Sequence, residues 1–315
     1  MAAWQGKSKG SPLGYRIFVW VLKTFGVLPA YFLLRFVTIY YFFFSFKASR
    51  QIYSLYRHKL GYGWWASAFK ASRQIYLLYR HKLGFGRFTS VFKVYKNYFL
   101  LGQSIIDKVV LMSGIKNKFS FNFDGEENLL KIAEMKKGGI LLSAHIGNWD
   151  VAGHLFTRLQ TPINIVLYDA EHERIKEYLE GVTGKRNMNI IVIKDDLSHI
   201  YAISDAFAKN ELVCMHADRF LPGNKTITTD FLGQEAKFPL GPFLLAATFK
   251  VPVSFVFAAK ESKLHYHLFA SVIKDYSSLG KDQMINGMLN DYAKEMETKL
   301  KQYPEQWFNY FNFWE

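Results

Sequence analysis

The chain is 315 residues long, 50% hydrophobic and 17% aromatic, with 40 Lys/Arg against 26 Asp/Glu and a formal net charge of +14. The charge is unevenly placed: residues 1–106 hold 16 Lys/Arg and no acid, and residues 107–315 hold 24 Lys/Arg and 26 Asp/Glu. The only cysteine is Cys214, which excludes an intramolecular disulfide framework and fits a reducing compartment.

The chain therefore divides by charge into a basic arm, 1–106, and a near-neutral domain, 107–315. Within the arm, residues 15–45 are aromatic and aliphatic, interrupted only by Arg16, Lys23 and Arg35. The apolar stretches between these cations fall short of the ~20 residues a bilayer span needs. Arg35 would sit near the middle of any span from 24 to 46, at a cost of roughly 2.5–3.5 kcal/mol. Pro29 interrupts the start of such a helix. The expected structure is a helix lying in or dipping into the interface, with Lys and Arg reaching lipid phosphates; a single tilted span is the alternative. No small-residue cleavage site follows a compact apolar core, so a cleaved signal peptide is not expected. Because the cations are embedded in apolar sequence, the matching partner is an anionic membrane surface and no nucleic acid is expected.

Residues 46–63 recur at 69–86 with a period of 23 and two differences in eighteen positions, which defines tandem units 46–68 and 69–91. Each unit carries apolar residues at helical spacing (Ile52, Leu55, Tyr56, Leu60; Ile75, Leu78, Tyr79, Leu83) and ends at Gly-x-Gly. Two units of near identity indicate a recent duplication, because a solenoid needs three or more. Either the doubled basic helix is a membrane-surface contact or the second copy is a neutral insertion; the second reading is preferred.

Beyond Asp107 apolar runs at 140–144, 163–167, 190–193, 212–215 and 253–258 alternate with helical patterns at 151–159, 171–182 and 199–209. This spacing implies βαβ units, hence an α/β domain with a mostly parallel sheet flanked by helices. A buried helix is expected at 241–249 with Pro242 in its first turn, an edge strand at 264–272 and a closing amphipathic helix at 281–302.

The run 140–144 leads into His145-Ile-Gly-Asn-Trp-Asp150. A polar residue leaving a strand sits at the carboxyl edge of the sheet, where open α/β sheets bind ligands. An imidazole there can take a proton near neutral pH, and a carboxylate one turn on can hold the ring NδH. The same spacing occurs at His172 and Glu177, inside a charged helical stretch that reads as a solvated face. Context rather than spacing singles out His145, and a structural histidine is the competing reading. A second polar cluster, 216–225, also follows a strand and could meet the first at the same edge; Arg219 could pair with a phosphate or carboxylate, or Asp218 and Arg219 could form a structural turn. Alternation along a strand accounts for His216/Asp218 and for His265/His267, so no metal is expected, and no Gly-rich phosphate loop calls for a cofactor.

His145-x-x-x-x-Asp150 after a strand, Asp218-Arg219 with Phe231-Leu-Gly233, the Gly241-Pro-Phe helix and the closing Tyr303-Pro-Glu-Gln-Trp-Phe308 together resemble the bacterial lipid A biosynthesis (late) acyltransferase family, within the lysophospholipid acyltransferase superfamily. The resemblance covers roughly 90–315. It implies an enzyme on the cytoplasmic face of the bacterial inner membrane that moves a fatty acyl chain from acyl carrier protein to a hydroxyl of a lipid acceptor. His145 would be the general base and Asp150 its partner, with Gly147, Asn148, Asp218 and Arg219 shaping the substrate site. Backbone NH groups near Gly147, or Arg219, would meet the oxyanion. Two departures leave the acceptor open: Asp150 stands where many lipid A enzymes have Glu, and the repeat is not a family feature. Relatives also acylate aminolipids, lysophospholipids, glycolipids or pigment precursors. The rivals are a non-catalytic membrane-surface adaptor and a hydrolase; the serine version of the latter lacks its Gly-x-Ser-x-Gly elbow.

Overall fold

The structure is a computed structural model that describes residues 12–44, 72–112, 115–152, 159, 161–168, 188–194, 196, 198–220, 223–310 and 313–314. The first repeat unit and the expected helix at 171–182 lie outside the described residues, as does most of the helix expected at 151–159.

The centre is a seven-stranded sheet of order β1-β9-β8-β2-β5-β3-β4. The strands are β1 Ser120–Asp124, β2 Gly139–Ser143, β3 Ile163–Tyr168, β4 Met188–Ile193, β5 Leu212–His216, β8 Val253–Ser262 and β9 His265–Ala270. Every neighbouring pair is parallel except β8 with β9, so the mostly parallel sheet holds. All residues of β2 are buried, as expected of a parallel strand covered on both faces. Ile140 and Leu142 enter one core with residues of helices α5 (Ser198–Ala208), α6 (Leu240–Phe249) and α7 (Lys281–Gln302). Leu141 enters the other, with α4 (Glu126–Glu134). Helix α7 commits one stripe to the first core, with Met284, Met288, Tyr292, Met296 and Leu300 buried at four-residue spacing.

Two expectations change. Residues 265–270 are not an edge: β9 lies between β8 and the edge strand β1. A separate hairpin, β6 (Thr226–Asp230) with β7 (Glu235–Pro239), carries the Phe231-Leu-Gly233 motif in its turn. Leu232 and Gly233 both have positive φ there, the backbone hand that matches strand twist in tight hairpins.

The amino-terminal helices are α1 (Pro12–Phe25) and α2 (Val27–Phe44), joined at Gly26 with φ 84°, and both pack with the long α3 (Arg87–Met112). Among the described residues no helix is long and apolar enough to cross a membrane. The charge boundary at Asp107 is not a structural one, because α3 runs straight through it. Val94 of α3 belongs to the main core. So do Ile75, Leu78 and Tyr79 of the second repeat unit, whose helix closes in a π turn at Leu78–Lys82. Tyr79 is fully buried and its hydroxyl donates to Pro304 O at 3.2 Å. The apolar face of this copy is therefore neither a membrane contact nor a neutral insertion; it is core.

Candidate active site

Strands β2 and β5 are parallel neighbours with Ser143 opposite His216, so their carboxyl ends deliver the two polar clusters side by side. Asp218 Oδ1 accepts from His145 Nδ1 at 2.7 Å, and Oδ2 accepts the His145 backbone NH at 2.9 Å. The indole NH of Trp307 donates to the same Oδ2 at 3.2 Å. Asp218 is completely buried, whereas the His145 side chain keeps 26% of its surface. Burial alone would raise the Asp218 carboxyl, but the charge and hydrogen bond of His145, with Arg219 and His216 nearby, outweigh it and hold the group well below the ordinary carboxylate range. The ring of His145 is thus anchored at Nδ1 on an ionised, buried carboxylate, which leaves Nε2 as the nitrogen for exchange with a substrate.

His216 lies beside this ring, tilted by 31° with centroids 4.3 Å apart. Burial, then the adjacent His145, pushes its pKa down to about 3, so it is neutral at physiological pH. His145, His216 and Asp218 bring ligand atoms within 4.8 Å of one another. Both oxygens of Asp218 are already engaged by His145 and Trp307, so the cluster offers no closed ligand set.

The loop after His145 is held from below. Gly147 has φ 76°, and a Cβ there would come within 1.9 Å of Ala258 O, so only glycine fits. Its NH donates to Gln306 O at 2.8 Å, and the Asn148 NH donates to Ala258 O at 2.7 Å. Both amides are therefore committed, so neither of these two backbone NH groups near Gly147 is free to meet an oxyanion. The Asn148 amide points inward, to Ser104 O at 3.2 Å and Tyr266 OH at 3.3 Å. Gly147 and Asn148 accordingly shape and fix the loop rather than face a substrate. Arg219 donates to Phe308 O, which ties the β5 cluster to the carboxyl-terminal segment.

Asp150, expected on the NδH of His145, is not the carboxylate found there. It lies in the short 3-10 turn Trp149–Ala152 and pairs with Lys108 of α3 at 3.0 Å. A 3-10 turn rather than an α-helical one at this point, together with Lys108, gives its carboxylate a different place. Asp218, expected as a substrate contact, occupies the position assigned to Asp150.

Sequence reasoning also missed what braces the site. The segment 304–308 runs against the His145 loop: Ile146 pairs with Trp307 in a backbone bridge, and the Phe308 NH donates to His145 O at 3.0 Å. Gln306 clamps Lys260 through its backbone, with both amide bonds at 2.8 Å. The quoted Pro-Glu-Gln-Trp run was the signal, but no spacing rule connects it to a histidine about 160 residues away. Behind it Asp107 accepts from Tyr31, Lys260 and Tyr266 in a closed buried network.

The bacterial lipid A biosynthesis acyltransferase family model matches residues 61–315. No curated protein matches the chain. Among solved structures, the 1-acyl-sn-glycerophosphate (LPA) acyltransferase PlsC of Thermotoga maritima is similar at 14% identity, over 86% of this chain and 97% of that one, with a TM-score of 0.38.

Proposed function

The chain belongs to the bacterial lipid A biosynthesis acyltransferase family and is an acyltransferase of lipid biosynthesis; on that footing we propose that it transfers a fatty acyl chain from a thioester, carried by acyl carrier protein, to a hydroxyl of a lipid A precursor, with His145 as general base. The observation that carries this reading is the half-open His145 ring anchored on buried Asp218 at 2.7 Å. The acceptor hydroxyl gives its proton to Nε2 as its oxygen attacks the thioester carbonyl. The C–O bond forms, the C–S bond breaks, and the imidazolium returns the proton to the departing thiolate. Asp218 holds the tautomer and stabilises the imidazolium. With the amides of Gly147 and Asn148 committed elsewhere, Arg219 is the sequence-named group for the developing oxyanion.

The same proposal places the enzyme at the cytoplasmic face of the inner membrane. Helices α1 and α2 turn Trp20, Phe25, Leu28, Phe32, Phe36 and Tyr40 outward, beside exposed Lys23 and Arg35. An outward aromatic face studded with cations suits an anionic bilayer surface. The 16 basic residues of the arm also suit an acidic carrier protein. No metal or other cofactor is needed for this chemistry.

The test is turnover of purified full-length protein with acyl-loaded carrier protein and lipid A precursor. His145→Ala is expected to lose about 10²–10⁴-fold while keeping its circular dichroism spectrum. Near-full turnover by that variant would remove His145 from the mechanism.

A further inference from the structure

A cavity of about 710 Å³ lies between α2, α3, the β8–β9 turn and the end of α7. It is not the site described above: none of His145, Asp150, Asp218 or Arg219 lines it. Its volume is within the range of small-ligand sites, roughly 300–1,000 Å³.

The lining is divided by chemistry. One wall is apolar, made by Leu28, Phe32, Phe99 and Leu100. Leu28 and Phe32 are also on the exposed aromatic face of α2, at 49% and 58% exposure, so this wall continues onto the surface that the fold leaves bare. Cations line the cavity as well, with Arg35 one helical turn from Phe32 on α2. Lys260 is committed to Asp107 and Tyr31 and is closed off behind them. Arg35 and Lys263 are exposed, line the cavity, and have no side-chain ion pair or hydrogen bond among the described residues. The acids of the lining already have partners. Glu305 pairs with Lys93 at 2.6 Å and Lys96 at 3.3 Å, and Glu261 takes the Tyr303 hydroxyl at 2.6 Å and His267 at 3.0 Å. Arg35 and Lys263 outnumber the ionised Glu261, so the cavity keeps net positive charge beside a greasy wall that opens toward the outward aromatic face.

An anion alone would not require the apolar wall, and a neutral apolar ligand would not require the cations. We propose that this cavity binds one anionic phospholipid of the bilayer, its phosphate held by Arg35 and Lys263 and an acyl chain lying against Leu28, Phe32, Phe99 and Leu100. A guanidinium and an ammonium together give a phosphate charge-assisted hydrogen bonds that a zwitterionic headgroup partly cancels. The bound lipid is separate from the one acylated at His145. It bridges α2 to the β8–β9 turn, next to Tyr31, whose hydroxyl already reaches Lys263 O at 3.2 Å.

The experiment reads binding, so it stands apart from the acyl-transfer reading. Full-length protein is incubated with vesicles of phosphatidylglycerol or of phosphatidylcholine, extracted in mild detergent, gel-filtered, and its retained phospholipid counted per chain by native mass spectrometry. About one phosphatidylglycerol per chain is expected, with phosphatidylcholine at least about tenfold less, a difference of about 1.4 kcal/mol. R35Q/K263Q, both exposed positions, is expected to lose that lipid about tenfold, whereas K237Q, an exposed cation of β7 outside the cavity, keeps it. Millimolar inorganic phosphate is expected to leave the lipid in place. Equal retention of the two lipids, equal loss in K237Q, or displacement by inorganic phosphate would overturn the proposal; they would mean respectively a detergent-like hydrophobic site, diffuse surface attraction, or a simple anion site.

Discussion

Among the described residues two carboxylates are completely buried, each facing a base, and they serve opposite ends. Asp218 faces His145, whose side chain is 26% exposed. Asp107 faces Lys260, 3% exposed, and is ringed by Tyr31 and Tyr266. Burial acts most strongly on both acids. At Asp218 the charge and hydrogen bond of His145, together with Arg219, win, and the group stays ionised. At Asp107 burial wins and raises the carboxyl, while Lys260 is lowered for the same reason, so the pair drifts toward its neutral forms. A buried carboxylate with a half-open partner leaves that partner able to exchange a proton with a ligand; one sealed with its partner can only hold helices α2 and α3 against β8 and β9. Openness of the partner, not burial of the acid, distinguishes a reaction centre from a structural one.

The sharpest way to break this comparison is to remove the charge at each centre. Asp218→Asn preserves shape but not the anion, and turnover is expected to fall about 10²–10⁴-fold. Asp150→Asn is expected to cost much less. If Asp150→Asn proves the more damaging in the same turnover assay, the ring partner read from sequence spacing is the operative one.

At the sealed centre the expected loss is in stability. Lys260→Met strands a buried acid with two tyrosines and should lower unfolding free energy by about 3–5 kcal/mol in urea titrations. Asp107→Leu combined with Lys260→Met should recover most of that. Failure of the double variant to recover would mean the tyrosine network, not the charge, fastens α2.

Acid separates the two centres more gently. Because the folded pKa of Asp218 is depressed, its contribution to stability is complete above the unfolded value of about 3.9 and is lost as pH falls below it. The melting-temperature gap between wild type and Asp218→Asn should therefore be flat from neutral pH to about 4 and shrink below. His216, pushed down to about 3, adds no ionisation to an activity profile taken above that. A gap that closes already well above pH 4 would show that Asp218 is not the group responsible.

The smallest effect is expected from the repeat. Deleting 46–68 brings Phe69 into the place of Phe46 and leaves four residues between Phe44 and Ser72. Those ends are near each other: Phe42 packs edge-on against Tyr95 of α3, and Ser72 meets the Tyr98 hydroxyl at 3.1 Å. The second unit keeps its place in the core, so turnover and vesicle binding should survive within a few-fold. Each basic residue near an anionic surface contributes about 1 kcal/mol, and the deletion removes Lys47, Arg50, Arg57 and Lys59. Complete loss of turnover in a folded deletion would give the first unit a role in the site.

Periodicity determined the sheet strands β2, β3, β4, β5 and β8, the helices α5, α6 and α7, and the placement of His145 at a strand end. These follow from local patterning, since a strand buried on both faces must be continuously apolar and an amphipathic helix must repeat every 3.6 residues. Short polar strands escaped it: β1 and β6 alternate between exposed and half-buried positions and leave no apolar run to find. Charge drew a boundary at Asp107 that packing ignores, because a single buried acid inside α3 carries no signal of burial along the chain. Which carboxylate holds His145 was decided only in three dimensions. Spacing along one segment favoured Asp150, but the parallel register of β2 with β5 carries Asp218, 73 residues on, beneath the ring. The bracing of that loop by Gln306 and Trp307 has the same origin: long-range pairing is a property of sheet order and chain return, which no local pattern encodes.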